Sequence, residues 1–292
     1  MQPKKVIVVF CHSRATLLEN CIKSILSADN VNEWITVVVH QQGNYEVQEV
    51  IHKNLSNIDY LITFPPKYKK AICNINANRI IGTKFAFNTL QADYVLGIEE
   101  DTQISKDALF FVDSIYRKFH RHKAFRGINL GSMEYGESAR SREYSKLRYG
   151  AHGQAGVLVN NSWKKIEKKK LLNFDLDDPG KAWDAEIELY LKSGFMITPN
   201  LSRSLDKGVG GTFSPKNSSD RYFVEMEKSW DSFNYKANSN YVLQQIKHSW
   251  RYDAVKYRRI LSIFFLARES RLFRLINSQI NVSRFLAKLF LR

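Results

Sequence analysis

The chain has 292 residues, 44 Lys and Arg against 29 Asp and Glu, a formal net charge of +15, and 44% apolar residues. That length and apolar content allow one large or two modest domains with a sizeable core, which excludes general disorder. The charge is uneven: residues 247–292 hold eleven Lys and Arg and two acids, leaving 33 basic against 27 acidic residues, a net of +6, for the rest.

Taken in order, strand signals alternate with helix signals through the first half, the pattern of an α/β fold with a mostly parallel central sheet. Val6-Ile7-Val8-Val9-Phe10 is β-branched and uncharged, like a strand buried on both faces. Leu17, Leu18, Cys21, Ile22, Ile25 and Leu26 follow at helical spacing. Residues 35–40 and 60–64 read as further buried strands, with a helix marked by Val47, Val50, Ile51 and Leu55 between them. After Pro65-Pro66, residues 78–90 predict a helix and 94–98 a fourth strand.

Ser105 is positioned to cap a helix whose apolar face is Leu109, Val112, Ile115 and Phe119. Residues 127–130 and 156–159 predict short strands, 183–191 a helix, and 195–198 an extended segment. Residues 204–220, rich in Gly, Ser, Asp and Lys and without periodicity, predict a long surface loop. A boundary near residue 235 divides an α/β domain, 1–235, from a basic amphipathic helical extension, 236–292.

The run 260–267 is uncharged but only eight residues long, far short of the roughly 20 needed to cross a bilayer. The N-terminus lacks the longer apolar region and cleavage site of a signal peptide. Cys11, Cys21 and Cys73 are odd in number and lack C-x-x-C spacing, as expected for reduced thiols. A cytoplasmic protein is the expectation.

Glu99-Glu100-Asp101 directly follows a buried strand, where open α/β sheets place ligand chemistry. Adjacent carboxylates repel one another unless a cation or ligand hydroxyls compensate. A hard cation, Mn²⁺ or Mg²⁺, held by one carboxylate with substrate phosphates and water, would do so. A solvated acidic turn leading into a helix is the alternative. Asp184, in Ala182-Trp183-Asp184-Ala185-Glu186, could act as a general base on an acceptor hydroxyl, or serve only as an acid in a first helical turn.

The segment Val6 to Arg14, the strand with Glu99-Glu100-Asp101, Trp183-Asp184, Pro199-Asn200-Leu201-Ser202-Arg203-Ser204 and Lys207-Gly208-Val209 recur in one order. Together, over about residues 5–215, they resemble the GT-A glycosyltransferases related to the mannosyl-glycoprotein β-1,2-N-acetylglucosaminyltransferases and their bacterial relatives. The resemblance implies a Rossmann-like nucleotide-diphospho-sugar transferase fold and transfer of a sugar from a nucleotide sugar, UDP-linked, to an acceptor hydroxyl with inversion. It implies Asp101 as the Mn²⁺ ligand, Glu99 and Glu100 as nucleoside contacts, Arg14 near the diphosphate and Asp184 as the base. It also implies a loop, 205–214, that closes over the donor, with Gly208 and Gly210 near phosphate.

The second strand ends His40-Gln41-Gln42-Gly43 where relatives carry an acid that reads the base, so Gln42 is the candidate there. Arg79, on the helix leading to the acidic strand, is a further candidate for the nucleotide, a surface helical position being the alternative.

Two other classes compete. An NAD-binding oxidoreductase is disfavoured because Cys-His-Ser-Arg-Ala-Thr follows strand one in place of G-x-G-x-x-G. A basic nucleic-acid-binding protein fits +15, but no RRM or zinc-finger signature appears and most of the excess charge lies outside the α/β body. Residues 254–276 interleave basic and apolar side chains as a helix on an anionic membrane does, which would suit a glycan or lipid-linked acceptor at the inner face of a membrane.

Overall fold

The computed structural model describes residues 2–66, 71–131, 144–147, 155–168, 187, 190–191, 193–199 and 202–208. The chain divides into two units, Met1–Gln245 and Ile246–Arg292, and every described residue belongs to the first. The helical extension expected over 236–292 and its membrane-facing stretch, 254–276, lie outside the described residues.

An eight-stranded sheet carries the fold, in the order β3-β2-β1-β4-β8-β6-β9-β7. Its strands are β1 (Lys5–Cys11), β2 (Ile35–Gln41), β3 (Tyr60–Phe64), β4 (Tyr94–Glu99), β6 (Phe125–Asn129), β7 (Tyr144–Leu147), β8 (Ala155–Val159) and β9 (Phe195–Pro199). β3, β2, β1 and β4 are mutually parallel, as are β6 and β9. β8 runs antiparallel to both β4 and β6, and β7 antiparallel to β9. A separate two-stranded ribbon pairs β5 (Thr102–Ile104) with β10 (Ser204–Asp206), antiparallel.

Every residue of β1 is buried because helices cover both faces of the sheet. On one face lies α1 (Ala15–Leu26), with Leu18, Cys21, Ile22 and Ile25 turned inward. On the other lies α3 (Ala71–Lys84), held so close that a Cβ at Gly82 would stand 2.7 Å from Val39 and 2.8 Å from Val8 and Phe10. Each β-branched or aromatic side chain buried there contributes about 1.5–3 kcal/mol relative to exposure. α3 runs into a π-helical turn, Phe85–Thr89, before β4.

α2 (Tyr45–Lys53) is capped by Asn44, whose Oδ1 accepts from Val47 N at 2.9 Å. α4 (Ala108–Phe119) begins at Asp107, not at the expected Ser105 cap. Ser105 instead donates its hydroxyl to Asp107 Oδ1 at 2.6 Å. α5 (Asn160–Lys168) and the strands β5, β7 and β10 have no counterpart in the elements predicted from sequence. Residues 204–208 correct the surface loop expected there: Ser204, Leu205 and Asp206 are buried in β10, because β5 supplies a partner whose position no local pattern reveals.

At the amino end of the sheet Lys5 is 4% exposed. It pairs with Asp113 and Glu33, and Tyr94 donates to Asp113 Oδ1 at 2.6 Å. At the carboxyl end the topology makes its turn. The chain steps outward from β1 to β2 and β3, then returns through α3 to place β4 on the opposite side of β1. The ends of β1 and β4 therefore flank the switch point, where open α/β sheets hold ligands.

Candidate active site

Phe10 and Glu99 are register partners at that switch point, so the segments that follow them emerge side by side. From β1 come His12, Ser13 and Arg14; from β4 come Glu100 and Asp101. Glu100 joins the two: its Oε2 accepts the His12 amide at 2.7 Å and its Oε1 accepts Arg14 Nε at 2.8 Å. Arg14 then reaches Asp101, with Nη1 2.7 Å from Oδ2. One guanidinium thus spans two carboxylates, the forked pairing its planar donors favour.

Glu99 is paired differently. Its Oε1 holds Arg79 Nη2, whose guanidinium carbon lies 4.3 Å from the centre of the Phe10 ring. Arg79 is buried, which corrects the surface position weighed for it: α3 turns this face onto β1 and β4. Glu99 retains 32% exposure and is the member of the triplet most open to a ligand.

Asp101 is buried, and its pKa is pushed up to about 6, first by burial and then by the charges of Glu99 and Asp206, with Arg14 opposing. Arg14 is held above its ordinary value because Asp101 and Glu100 outweigh its desolvation. Burial raises the thiols of Cys11 and Cys21, which keeps both protonated and inert beside the acids.

The β5–β10 ribbon closes one side of the site. Asp206 pairs in register with Thr102, and the Lys207 amide donates to the Asp101 carbonyl at 2.8 Å. Gly208 N–H donates to Asp206 Oδ1 at 2.7 Å. A Cβ at Gly208 would lie 2.1 Å from Asp101 Oδ2 and 2.9 Å from Asp206 Oδ1, so only glycine fits beside these two acids. The ribbon is anchored behind by a buried pair, with Arg203 Nη2 and Nε each 3.2 Å from Asp107 Oδ2. The Ser105 amide donates to the Arg203 carbonyl at 3.0 Å, and the Arg203 amide to Leu130 at 2.8 Å.

Of the residues singled out from sequence, Arg14, Glu99, Glu100, Asp101 and Gly208 come together, and Arg79 backs Glu99. Gln42 is exposed beyond β2, its amide donating to the Phe64 carbonyl at 2.9 Å. Asp184 and Gly210 lie outside the described residues. Sequence reasoning missed Asp206 and the Arg203–Asp107 anchor. The alternation Ser204-Leu205-Asp206 was the available signal, too short to tell from a loop.

Among the described residues, His40 Nε2, Gln41 Nε2 and Asn78 Oδ1, buried at this sheet end, meet no protein hydrogen-bond partner. Among the described residues no group of three or more His, Cys, Asp or Glu is arranged to hold a metal, and no helix is long and apolar enough to cross a membrane.

No protein-family model matches the chain, and no curated protein matches it. Solved structures do. Residues 1–349 of TarS from S. aureus align at a TM-score of 0.50 with 10% identity, over 87% of this chain and 78% of that one. A longer S. aureus TarS chain gives 0.46 and 12%, over 67% and 35%. The mannosyltransferase PcManGT from Pyrobaculum calidifontis, in complex with GDP-Man and Mn²⁺, gives 0.45 and 12%, over 68% and 55%. The likeness at a TM-score of 0.50, at 10% identity, speaks to architecture alone: a GT-A-like, mixed α/β fold with a mostly parallel central sheet.

Proposed function

We propose that this protein is a nucleotide-sugar glycosyltransferase that moves a sugar from a UDP-linked donor to an acceptor hydroxyl with inversion. One observation carries the reading: Arg14, Glu99, Glu100 and Asp101 converge at the β1–β4 switch point, with Asp101 packed against the glycine at position 208. Kinship with the mannosyl-glycoprotein β-1,2-N-acetylglucosaminyltransferases and their bacterial relatives is part of this proposal.

The residues fit a divalent cation. Asp101 is a buried carboxylate whose charged form is disfavoured by burial and by the neighbouring acids Glu99 and Asp206, a charge that a cation would offset. Asp101 would hold Mn²⁺ or Mg²⁺, with Asp206 beside it. When bound, the cation supplies charge neutralisation for the diphosphate leaving group.

The rest of the chemistry belongs to the chain. Arg14, 36% exposed at the mouth of the site, binds the diphosphate through its fork of donors. Glu99 faces the nucleoside, while Glu100 holds the 12–14 segment and Arg14 in place. Gln42 lies at the same sheet edge as a base contact. Asp184 takes the acceptor proton as the hydroxyl oxygen attacks the anomeric carbon from the face opposite the diphosphate. Of the loop expected to close over the donor, 205–214, the residues through Gly208 are held by β10 and its turn, so closure and exclusion of water fall to 209–214, with Gly210 permitting approach of phosphate to the backbone. The acceptor is a glycan or a lipid-linked chain, met at the inner face of a membrane through residues 254–276.

A thermal-shift panel of nucleotide sugars, each with and without Mn²⁺, tests the proposal. Stabilisation that needs both nucleotide sugar and Mn²⁺ supports it and names the donor. No response to any member overturns it.

A further inference from the structure

We infer that β3, the free edge of the large sheet, pairs antiparallel with β3 of a second copy of this chain about a two-fold axis at Ile62, so that one sheet runs through a homodimer. The inference stands apart from the reading of the donor site.

An edge strand offers unpaired N–H and C=O groups to any strand that can reach them, and proteins that stay single blunt such edges with charge, proline or a bulge. β3, Tyr60-Leu61-Ile62-Thr63-Phe64, has neither charge nor proline within it and meets β2 in an unbroken register. Among the described residues nothing pairs with its outer side. Tyr60 is 43% exposed, Leu61 39% and, in the turn leading to the strand, Leu55 42%. Five large apolar side chains are exposed among the described residues, and three of them fall between 55 and 61, which concentrates apolar surface on this edge.

The backbone fixes which groups are free. The Gln42 amide donates to the Phe64 carbonyl, so Phe64 turns its backbone groups toward β2, and with it, at a period of two, Ile62 and Tyr60. Leu61 and Thr63 therefore turn theirs outward. Their side chains share one face of the strand, and both are exposed.

What covers this edge must match that spacing and meet uncharged side chains, and a second β3 does both. With Ile62 facing its own copy, Leu61 of one chain stands opposite Thr63 of the other, and Tyr60 opposite Phe64. Each relation occurs twice, because a two-fold contact is self-complementary. At both places Leu61 and Thr63 exchange two backbone hydrogen bonds, which satisfies the outward N–H and C=O groups of the strand. On the other face Tyr60, whose ring meets Phe85 edge-on at 5.4 Å, and the half-buried Phe64 form aromatic cross-strand pairs. Asp59, the charge that precedes the strand, falls opposite Pro65 and meets no like charge.

Sedimentation equilibrium of the full-length protein across a concentration series is expected to show a dimer. Leu61→Lys combined with Thr63→Lys sets lysine against lysine at both places, and the dimer dissociation constant rises by at least about tenfold. Leu61→Glu combined with Thr63→Lys sets opposite charges against each other in the same register, and dimerisation returns to within about threefold of the wild type. Amide hydrogen exchange of the unsubstituted protein reads the contact without any variant: the Leu61 and Thr63 amides are protected in the dimer and exchange freely on dilution. A wild type that stays monomeric at every concentration overturns the inference. So does a dimer that the double lysine variant leaves unchanged, since the contact then lies elsewhere. A charge-swapped variant as weak as the double lysine one overturns the antiparallel two-fold pairing, and so do Leu61 and Thr63 amides that exchange freely in the dimer.

Discussion

Gly208 stands against Asp101 so closely that a methyl group there would come within 2.1 Å of the carboxylate oxygen Oδ2. No side chain tolerates that distance, so Gly208→Ala must displace either Asp101 or the strand end carrying Asp206. The expected result is a stability loss of about 1–3 kcal/mol, typical of overpacking. UDP–Mn²⁺ affinity drops by at least about tenfold, as Asp101 loses its geometry. Urea unfolding and calorimetric titration would read the two effects separately, and wild-type affinity in this variant would remove Gly208 from the site.

The carboxyl group of Asp101 titrates near pH 6 in the folded protein, above the ordinary carboxylate range, because burial and neighbouring acids favour its neutral form. The folded state then binds a proton that the unfolded chain has released. Its contribution to stability is present at about pH 4 and lost as the pH rises through 6, up to about 3 kcal/mol in metal-free protein. Asp101→Asn should abolish that slope. Because a cation needs the ionised form, Mn²⁺ affinity should also weaken below about pH 6. A flat Mn²⁺ affinity from pH 5 to 7.5 would contradict the assignment of Asp101 as ligand.

Arg203 and Asp107 form a buried pair that also fixes Ser105 and, through it, the β5–β10 ribbon. Removing one partner leaves a buried charge, so Asp107→Ala and Arg203→Ala should each destabilise by about 3–5 kcal/mol. The double variant should lose less than the sum, because the orphaned charge is gone. A double-mutant cycle by urea unfolding checks this; strict additivity would mean that the two do not act as a unit.

Asp184→Asn separates chemistry from binding. Sugar transfer should fall by about 10²–10⁴-fold, the usual contribution of a general base, while UDP and Mn²⁺ affinities stay within about twofold. Turnover at the wild-type rate would dismiss Asp184 as the base.

Much of the fold was legible in local pattern. The run of β-branched residues at Val6–Val9 and the spacing of Leu18, Cys21, Ile22 and Ile25 each encode an element that needs little help from distant chain, and β1 and α1 formed there. Elements whose stability comes from a partner were not legible. β10 is three residues of mixed polarity that become a strand only because β5 pairs with them across some 100 positions of sequence. Arg79 looked like a solvent-facing helical cation, since nothing local shows that Phe10 and Glu99 wait beneath it.

For the site the division is the same. Three successive acids after a buried strand, and a basic residue after the first strand, made the two strand ends candidates for chemistry, with a solvated acidic turn as the alternative, because adjacent carboxylates repel one another unless a cation, a ligand or water compensates. Which acid meets which partner followed from the chain's return through α3. That crossover set Glu99 beside Phe10, tied Glu100 to the His12–Arg14 segment, and left Asp101 between Arg14 and Gly208. Distances of a few ångströms between residues some 85 to 110 positions apart are a property of packing, and packing gave Glu99 to Arg79 while it set Glu100 and Asp101 on one shared guanidinium, that of Arg14.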